Sequence, residues 1–118
     1  MDAPRFRTAI PLRRYRLGEY LATVLGDIDS SDGREYTYIL AMVMEGSRNP
    51  RLYVTLEPNR GEAKRKGSHR MRVIGERLNE DLGSNDKWRD VLQFSASALS
   101  VAMHLLGLKD EQPLPVDE

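Results

Sequence analysis

The fold is decided by residues 84–107, which read SNDKWRDVLQFSASALSVAMHLLG. Apolar residues recur there at helical spacing, which predicts one long amphipathic helix laid on a sheet. Ser84, Asn85 and Asp86 are residue types that cap helix N-termini, and Gly107 is typical of a helix end. The face expected to contact the sheet carries Trp88, Val91, Leu92, Ser95, Leu99, Ala102, Met103 and Leu106.

The apolar stripe of this helix is wider than a single sheet requires. Phe94, Val101 and Leu105 extend it on one flank, whereas a helix that covers one sheet needs an apolar stripe of only about 100°. An apolar surface left over after folding usually marks an interface. We therefore take these three residues as a candidate homodimer interface.

The segments before the helix have the pattern of a β-meander. β-branched and aromatic residues in extended apolar runs predict strands, at residues 15–28, 34–45, 51–57 and 71–74. Residues 76–83 fit either a helix or a strand, because Leu78 and Leu82 stand at helical spacing between two glycines. The expected fold class is α+β, an antiparallel sheet of three to four strands followed by one long C-terminal helix.

The chain length of 118 residues fits one domain. We assign residues 14–108 to a single α+β domain. Residues 1–13 contain Pro4 and Pro11 without a clear period and are expected to form an irregular N-terminal arm. Residues 109–118 are expected to form an acidic, frayed tail.

The dipeptide Asp32-Gly33 between two apolar runs indicates a tight β-hairpin. A two-residue loop there would pair Ser31 with Arg34. In that register, both faces of the two strands carry apolar side chains. The helix can cover only one of these faces. The other could be covered by the arm, residues 1–13, or by a second copy of the chain, and we favour the second copy.

Composition excludes several classes of protein. The chain has no cysteine, so it has no disulfide framework, thiol nucleophile or zinc–thiolate site. Basic and acidic residues number 18 each, which argues against a dedicated polyanion binder but allows a local basic patch. No apolar run reaches the length of a membrane span. The expectation is a cytoplasmic protein without cofactor or metal.

No catalytic motif in the sequence is distinguishable from a chance arrangement of residues. Residues 27–33 place a glycine one position too late for a calcium loop, and residues 61–68 lack the spacing of a phosphate loop. His69 and His104 stand far apart and are expected to be surface residues. An enzyme is therefore the third hypothesis, and it would require a site that is built only in the assembled oligomer.

Residues 60–72 form the most basic stretch of the chain. The lysine and arginine side chains of this stretch could bind phosphates while tyrosines of a neighbouring sheet face stack on bases. The residues proposed for nucleic-acid contact are Arg60, Lys64, Arg65, Lys66, Arg70, Arg72, Tyr36 and Tyr38. The expected order of four strands and a helix resembles that of coactivator-type and plant Whirly-type single-stranded-DNA binders, although none of their motif residues aligns. Single-stranded nucleic-acid binding is the alternative to the leading hypothesis, a small non-catalytic homodimeric binding or assembly module with a protein partner.

Overall fold

The computed structural model describes residues 2–116. Met1, Asp117 and Glu118 lie outside the described residues, and so does the end of the expected tail. The described strands are β1 (Phe6–Leu17), β2 (Tyr20–Ser30), β3 (Tyr38–Met44), β4 (Leu52–Pro58), β5 (His69–Gly75), β6 (Leu78–Ser84) and β7 (Leu114–Pro115). One α-helix, α1 (Val91–Leu105), and two 3₁₀ turns (Gly61–Lys66 and Asp86–Arg89) complete the described part.

All seven strands belong to one antiparallel sheet in the order β6-β5-β4-β3-β2-β1-β7. The expected α+β class, with an antiparallel sheet and a C-terminal helix, is confirmed. The expected count of three to four strands was too low. Gly18, at φ 57°, turns the chain between β1 and β2, which the apolar run 15–28 had joined into one strand. Of residues 76–83, which fitted either a helix or a strand, 76 and 77 form a turn and Leu78 onward is extended as β6, so the resemblance to a four-stranded order no longer holds.

Strand β1 occupies most of the segment expected to be irregular. The prediction for 1–13 was wrong from Phe6 onward, because β1 pairs with β2 along its length. Pro11 is tolerated there since β1 is nearly an edge strand: β7 pairs only with Tyr15 and Arg16. The tail prediction was likewise wrong for β7.

The pairing of β2 with β3 differs by one residue from the expected register. Val24 pairs with Leu40, and Leu25 pairs with Ile39, whereas a two-residue loop would pair Leu25 with Leu40. A shift of one residue changes which side chains of the two strands share a face. Val24 and Leu40 therefore lie together in the core of the helix face, whereas the two-residue loop would have put Leu25 beside Leu40. The connection between the strands runs from Ser31 to 37 and is organised by the Asp32 side chain.

The helix α1 begins later than its expected cap. Asn85 caps the 3₁₀ turn by accepting from the Lys87 amide, and the α-helix itself begins after Asp90, whose carboxylate accepts from the Leu92 and Gln93 amides. The extended backbone of Asp90 separates the two helical segments. The helix buries Phe94, Ser95, Ala98, Leu99 and Ala102 against the sheet.

The sheet has two unlike faces. The helix face is packed under α1 and carries the apolar core, including Leu17, Val24, Leu40, Met42, Val54, Leu56, Met71 and Val73. The opposite or open face carries one continuous cross-strand row, formed by Leu25, Ile39, Thr55, Arg72 and Asp81. No helix in residues 2–116 is long and apolar enough to span a membrane.

Candidate functional site

A cavity of about 440 Å³ opens on the open face. Its walls come from strands β4, β5 and β6, from the β2–β3 connection and from the N-terminal segment 2–5. The lining residues are Asp2, Ala3, Arg5, Asp32, Arg34, Tyr36, Thr55, Glu57, Arg72, Ile74 and Asn79. The volume lies in the range of sites that hold small molecules.

The site arises from alternation along β4. Leu52, Val54 and Leu56 are buried in the core of the helix face, and period two therefore sends Thr55 and Glu57 to the open face. Strand β5 repeats the pattern, because Arg70 pairs with Glu57 and Arg72 pairs with Thr55. Two neighbouring strands thus place four polar side chains side by side.

Thr55 lies in the lining of this cavity with an unpartnered hydroxyl. The residue is 0% exposed, and its Oγ1 has no hydrogen-bond partner within residues 2–116. The Nε atoms of Arg70 and Arg72 are also buried without a partner. Buried polar groups are nearly always hydrogen-bonded, so three neighbouring exceptions on two paired strands form an unusual cluster.

Glu57 holds two arginines at one side of the cavity. Its side chain is only 11% exposed, and both carboxylate oxygens accept from Nη1 of Arg34, at 3.1 and 3.3 Å. Nη2 of Arg70 lies 4.0 Å from the same carboxylate. The hydrogen bond and charge of Glu57 raise the pKa of Arg34. Glu57 therefore orients the arginines and offsets part of their charge.

Asp32 ties the β2–β3 connection to the N-terminal segment. Its carboxylate accepts from the amides of Arg5 and Arg34, both at 3.0 Å, and from the Tyr36 hydroxyl at 2.6 Å. Burial alone would raise the pKa of Asp32, but these hydrogen bonds outweigh it and lower that pKa. Burial, followed by the bond to Asp32, raises the pKa of Tyr36. The bonded pair therefore stays an anionic acceptor and a neutral donor.

The N-terminal segment crosses the rim of the cavity. The Ser31 amide donates to the Arg5 carbonyl, and Pro4 is buried. At the other end, the Asn79 side chain donates to the Asp2 carboxylate at 3.3 Å and accepts from Nη2 of Arg72. Residues 2–5 thus cover part of the open face. The sequence had left two possibilities for covering this face, the arm and a second copy of the chain.

The residues proposed for nucleic-acid contact fall into separate places. Arg72 lines the cavity, Arg70 lies outside the lining beside Glu57 and Asp81, and Arg60 pairs with Glu35. Only Lys64, Arg65 and Lys66 share one exposed 3₁₀ turn.

The two tyrosines proposed for stacking do not form one platform. Tyr36 lines the cavity on the open face. Tyr38 belongs to the helix face, where its ring lies 5.4 Å from that of Phe94 and its hydroxyl donates to the Arg89 carbonyl. The two rings therefore cannot stack on successive bases of one strand.

The proposed dimer flank is also divided. Phe94 is fully buried under the helix and is not available to a partner, so its assignment to an interface was wrong. Val101 is half-buried, and Leu105 is 44% exposed. A homodimer built on Val101 and Leu105 stays a prediction.

The two histidines differ in their surroundings. His104 is exposed, as expected, but His69 is buried, with its Nδ1 hydrogen-bonded to the Ser68 hydroxyl at 2.8 Å. Burial, and then the charge of Arg89, lowers the pKa of His69. Within residues 2–116, no three acidic or histidine side chains are grouped so that they could hold a metal ion.

Of the residues that line the cavity, the sequence singled out only Tyr36 and Arg72 as site residues. Asp32 and Arg34 had been considered only for the hairpin, and Thr55 and Glu57 had not been singled out. A signal for the last two was present, since strand β4 alternates apolar residues with Tyr53, Thr55 and Glu57. No pattern in the sequence indicated the role of Asp32 in the cavity, because its partner Arg5 lies 27 positions away along the chain. Compared with known proteins, the chain matches no family model, no curated protein and no solved structure.

Proposed function

We propose that this protein is a non-catalytic binding module whose ligand is a small polar molecule held in the open-face cavity. The observation that carries the proposal is the fully buried, unpartnered hydroxyl of Thr55 in the cavity lining. An unpartnered buried polar group costs about 1–3 kcal/mol. A ligand that supplies the missing partner would recover that free energy on binding.

The state of the two cavity carboxylates favours binding over proton transfer. Both oxygens of Glu57 accept from Arg34, and both oxygens of Asp32 accept from amide or hydroxyl groups. A general base needs a free oxygen within reach of the substrate proton. These carboxylates instead fix the positions of Arg34 and Tyr36, which is what a binding site requires.

Changing Thr55→Val tests the proposal, because valine keeps the shape of threonine and lacks the hydroxyl. We expect the free variant to gain about 1–3 kcal/mol in free energy of unfolding, since an unsatisfied group is removed. The same variant should lose its response to ligands. Thermal unfolding with a panel of small carboxylates, phosphate esters, polyols and amides measures both effects.

The matched control is Thr8→Val, at an exposed position of β1. Its stability should change by less than about 0.5 kcal/mol, and its ligand response should equal that of the wild type. Two results would each contradict the proposal: a loss of stability in Thr55→Val, or compounds that stabilise this variant as strongly as the wild type.

Single-stranded nucleic-acid binding through the basic turn is the second candidate. It is favoured by Lys64, Arg65 and Lys66, which are exposed together and form no ion pair within residues 2–116. Each phosphate contact contributes about 0.7 to the salt dependence of single-strand binding. Changing all three residues to alanine should therefore reduce the slope of log K against log salt by about 2.

Fluorescence anisotropy with a labelled single-stranded oligonucleotide at several salt concentrations measures this slope. A matched control removes the same charge elsewhere, through Arg48→Ala, Arg51→Ala and Arg77→Ala, all at exposed positions. The control should keep most of the slope. If wild type fails to bind at low salt, or if both triple variants lose equal affinity, this candidate is rejected.

A further inference from the structure

We infer that the ligand of the open-face cavity carries an oxyanion, a carboxylate or phosphate group, that binds at Thr55 and Arg72. This inference rests on the proposed function and names its ligand class. It follows from which hydrogen-bonding groups around the cavity are occupied and which are spare.

The acceptors in the interior of the cavity are occupied. Both oxygens of Asp32 receive hydrogen bonds, and so do both oxygens of Glu57. Asn79 uses its oxygen to accept from Arg72 and its nitrogen to donate to Oδ2 of the exposed Asp2 at the rim. A ligand that is mainly a donor would therefore have to break an existing bond in the interior or stay at the Asp2 carboxylate on the rim.

The donors, in contrast, are spare. The Thr55 hydroxyl and the Nε–H groups of Arg70 and Arg72 are buried without partners. The Thr55–Arg72 and Glu57–Arg70 pairs are successive pairs on the same face of the β4–β5 ladder, separated by Leu56–Met71 on the other face, so these donors lie close together. A ligand group that only accepts hydrogen bonds matches this surplus, and ionised carboxylates and phosphates are of that kind.

The formal charges of the cavity lining balance, because Arg5, Arg34 and Arg72 face Asp2, Asp32 and Glu57. Arg70 lies beside Glu57 outside the lining and pairs with Asp81 at 3.5 Å. The preference for an oxyanion therefore rests on the spare donors and on the geometry of Arg72, not on a surplus of positive charge. Arginine presents a planar fork that suits an oxyanion better than a point charge does.

Because Thr55 is covered, binding requires that its hydroxyl first become accessible to the ligand. Its hydroxyl is shielded from solvent, while Arg72 is only partly buried and its guanidinium is held by Asn79. A long arginine side chain can change rotamer far more easily than the sheet can move. We therefore expect Arg72, and not the strands, to shift when a ligand reaches the Thr55 hydroxyl, and its Nε–H to donate to that ligand.

Isothermal titration with three probes tests the inference: glutarate, methyl phosphate and the neutral glutaramide. We expect at least one anion to bind, and glutaramide to bind at least about 10-fold more weakly. The relative affinity of glutarate and methyl phosphate shows which kind of oxyanion the site prefers. Arg72→Lys keeps the charge but removes Nε–H and the fork, and it should weaken anion binding about 10- to 100-fold.

Two matched variants locate the effect. Arg77→Lys, at an exposed position of the β5–β6 turn, should leave affinity within about twofold. The triple alanine variant of Lys64, Arg65 and Lys66 should also retain binding. If either variant loses as much affinity as Arg72→Lys, or if glutaramide binds as well as glutarate, the oxyanion inference is overturned.

The remaining outcomes separate the inference from the proposed function. If no anion binds but a polyol or amide stabilises the wild type and not Thr55→Val, the cavity is a binding site and the oxyanion assignment fails alone. If no compound binds in a Thr55-dependent manner, both fail. Chemical unfolding of Arg72→Lys, expected to show one cooperative transition close to that of the wild type, confirms that its lost affinity is not a loss of fold.

Discussion

Replacing Phe94 with alanine should lower the free energy of unfolding by about 3–5 kcal/mol. The side chain is fully buried and is the largest of the fully buried side chains in the described core. Its ring also contacts Tyr38, with centroids 5.4 Å apart and planes inclined by 33°. Truncation would leave a cavity between α1 and the sheet that a rigid strand cannot fill. Urea unfolding followed by the fluorescence of Trp88 measures the loss.

Leu105→Ser is the control on the same helix. Leu105 is 44% exposed, so this change should reduce stability by less than about 1 kcal/mol. A loss equal to that of Phe94→Ala would contradict the packing described for α1. The same variant examines self-association, because a homodimer that uses Leu105 should dissociate when serine replaces it. Sedimentation equilibrium of the wild type at 13.5 kDa would reject the homodimer outright.

Phe94 also shows how far the sequence could predict the helix. Period 3.6 located the helix and placed Ser95, Leu99 and Ala102 on its buried side, which the structure confirms. The helical period could not show where the centre of the buried face lies, because the apolar stripe is broader than the surface that contacts the sheet. Phe94 packs on Tyr38 inside the core, whereas Leu92 is 54% exposed. Thus the side chain predicted to meet a partner is a core residue, and a predicted core residue lies on the surface.

The sheet and the cavity show the same limit at longer range. Alternation in β4 and β5 was readable, because one face of each strand is apolar and buried while the other carries polar residues. The register of β2 and β3 was not readable, because their connection spans residues 31–37 and not the two residues that Asp32-Gly33 indicates. That connection brings Asp32, Arg34 and Tyr36 to the cavity, where Asp32 accepts from the Arg5 amide. The candidate site therefore depends on a contact over 27 positions that no local pattern encodes.

Replacing Asp32 with alanine should lower the free energy of unfolding by about 2–3 kcal/mol. Three donors lose their acceptor: the amides of Arg5 and Arg34 and the buried Tyr36 hydroxyl. Hydrogen bonds to charged groups contribute about 1.5–3 kcal/mol each, and the partial exposure of Asp32 favours the lower end. Urea unfolding measures the loss, and amide hydrogen exchange should quicken at Arg5 and Arg34. Asp29→Ala, which removes only an exposed ion pair with Arg7 at 3.7 Å, should cost less than about 0.5 kcal/mol.

The pH dependence of this loss follows from the lowered pKa of Asp32. A carboxyl group whose pKa is lower in the folded state than in the unfolded state stabilises the fold wherever it is ionised. Its contribution is therefore complete above the unfolded pKa of about 4 and disappears as the pH falls through the folded pKa. The stability difference between wild type and Asp32→Ala should be constant from about pH 7 to pH 5 and should shrink at about pH 3. A difference that stays constant to pH 3 would mean that Asp32 acts through shape and not through its charge.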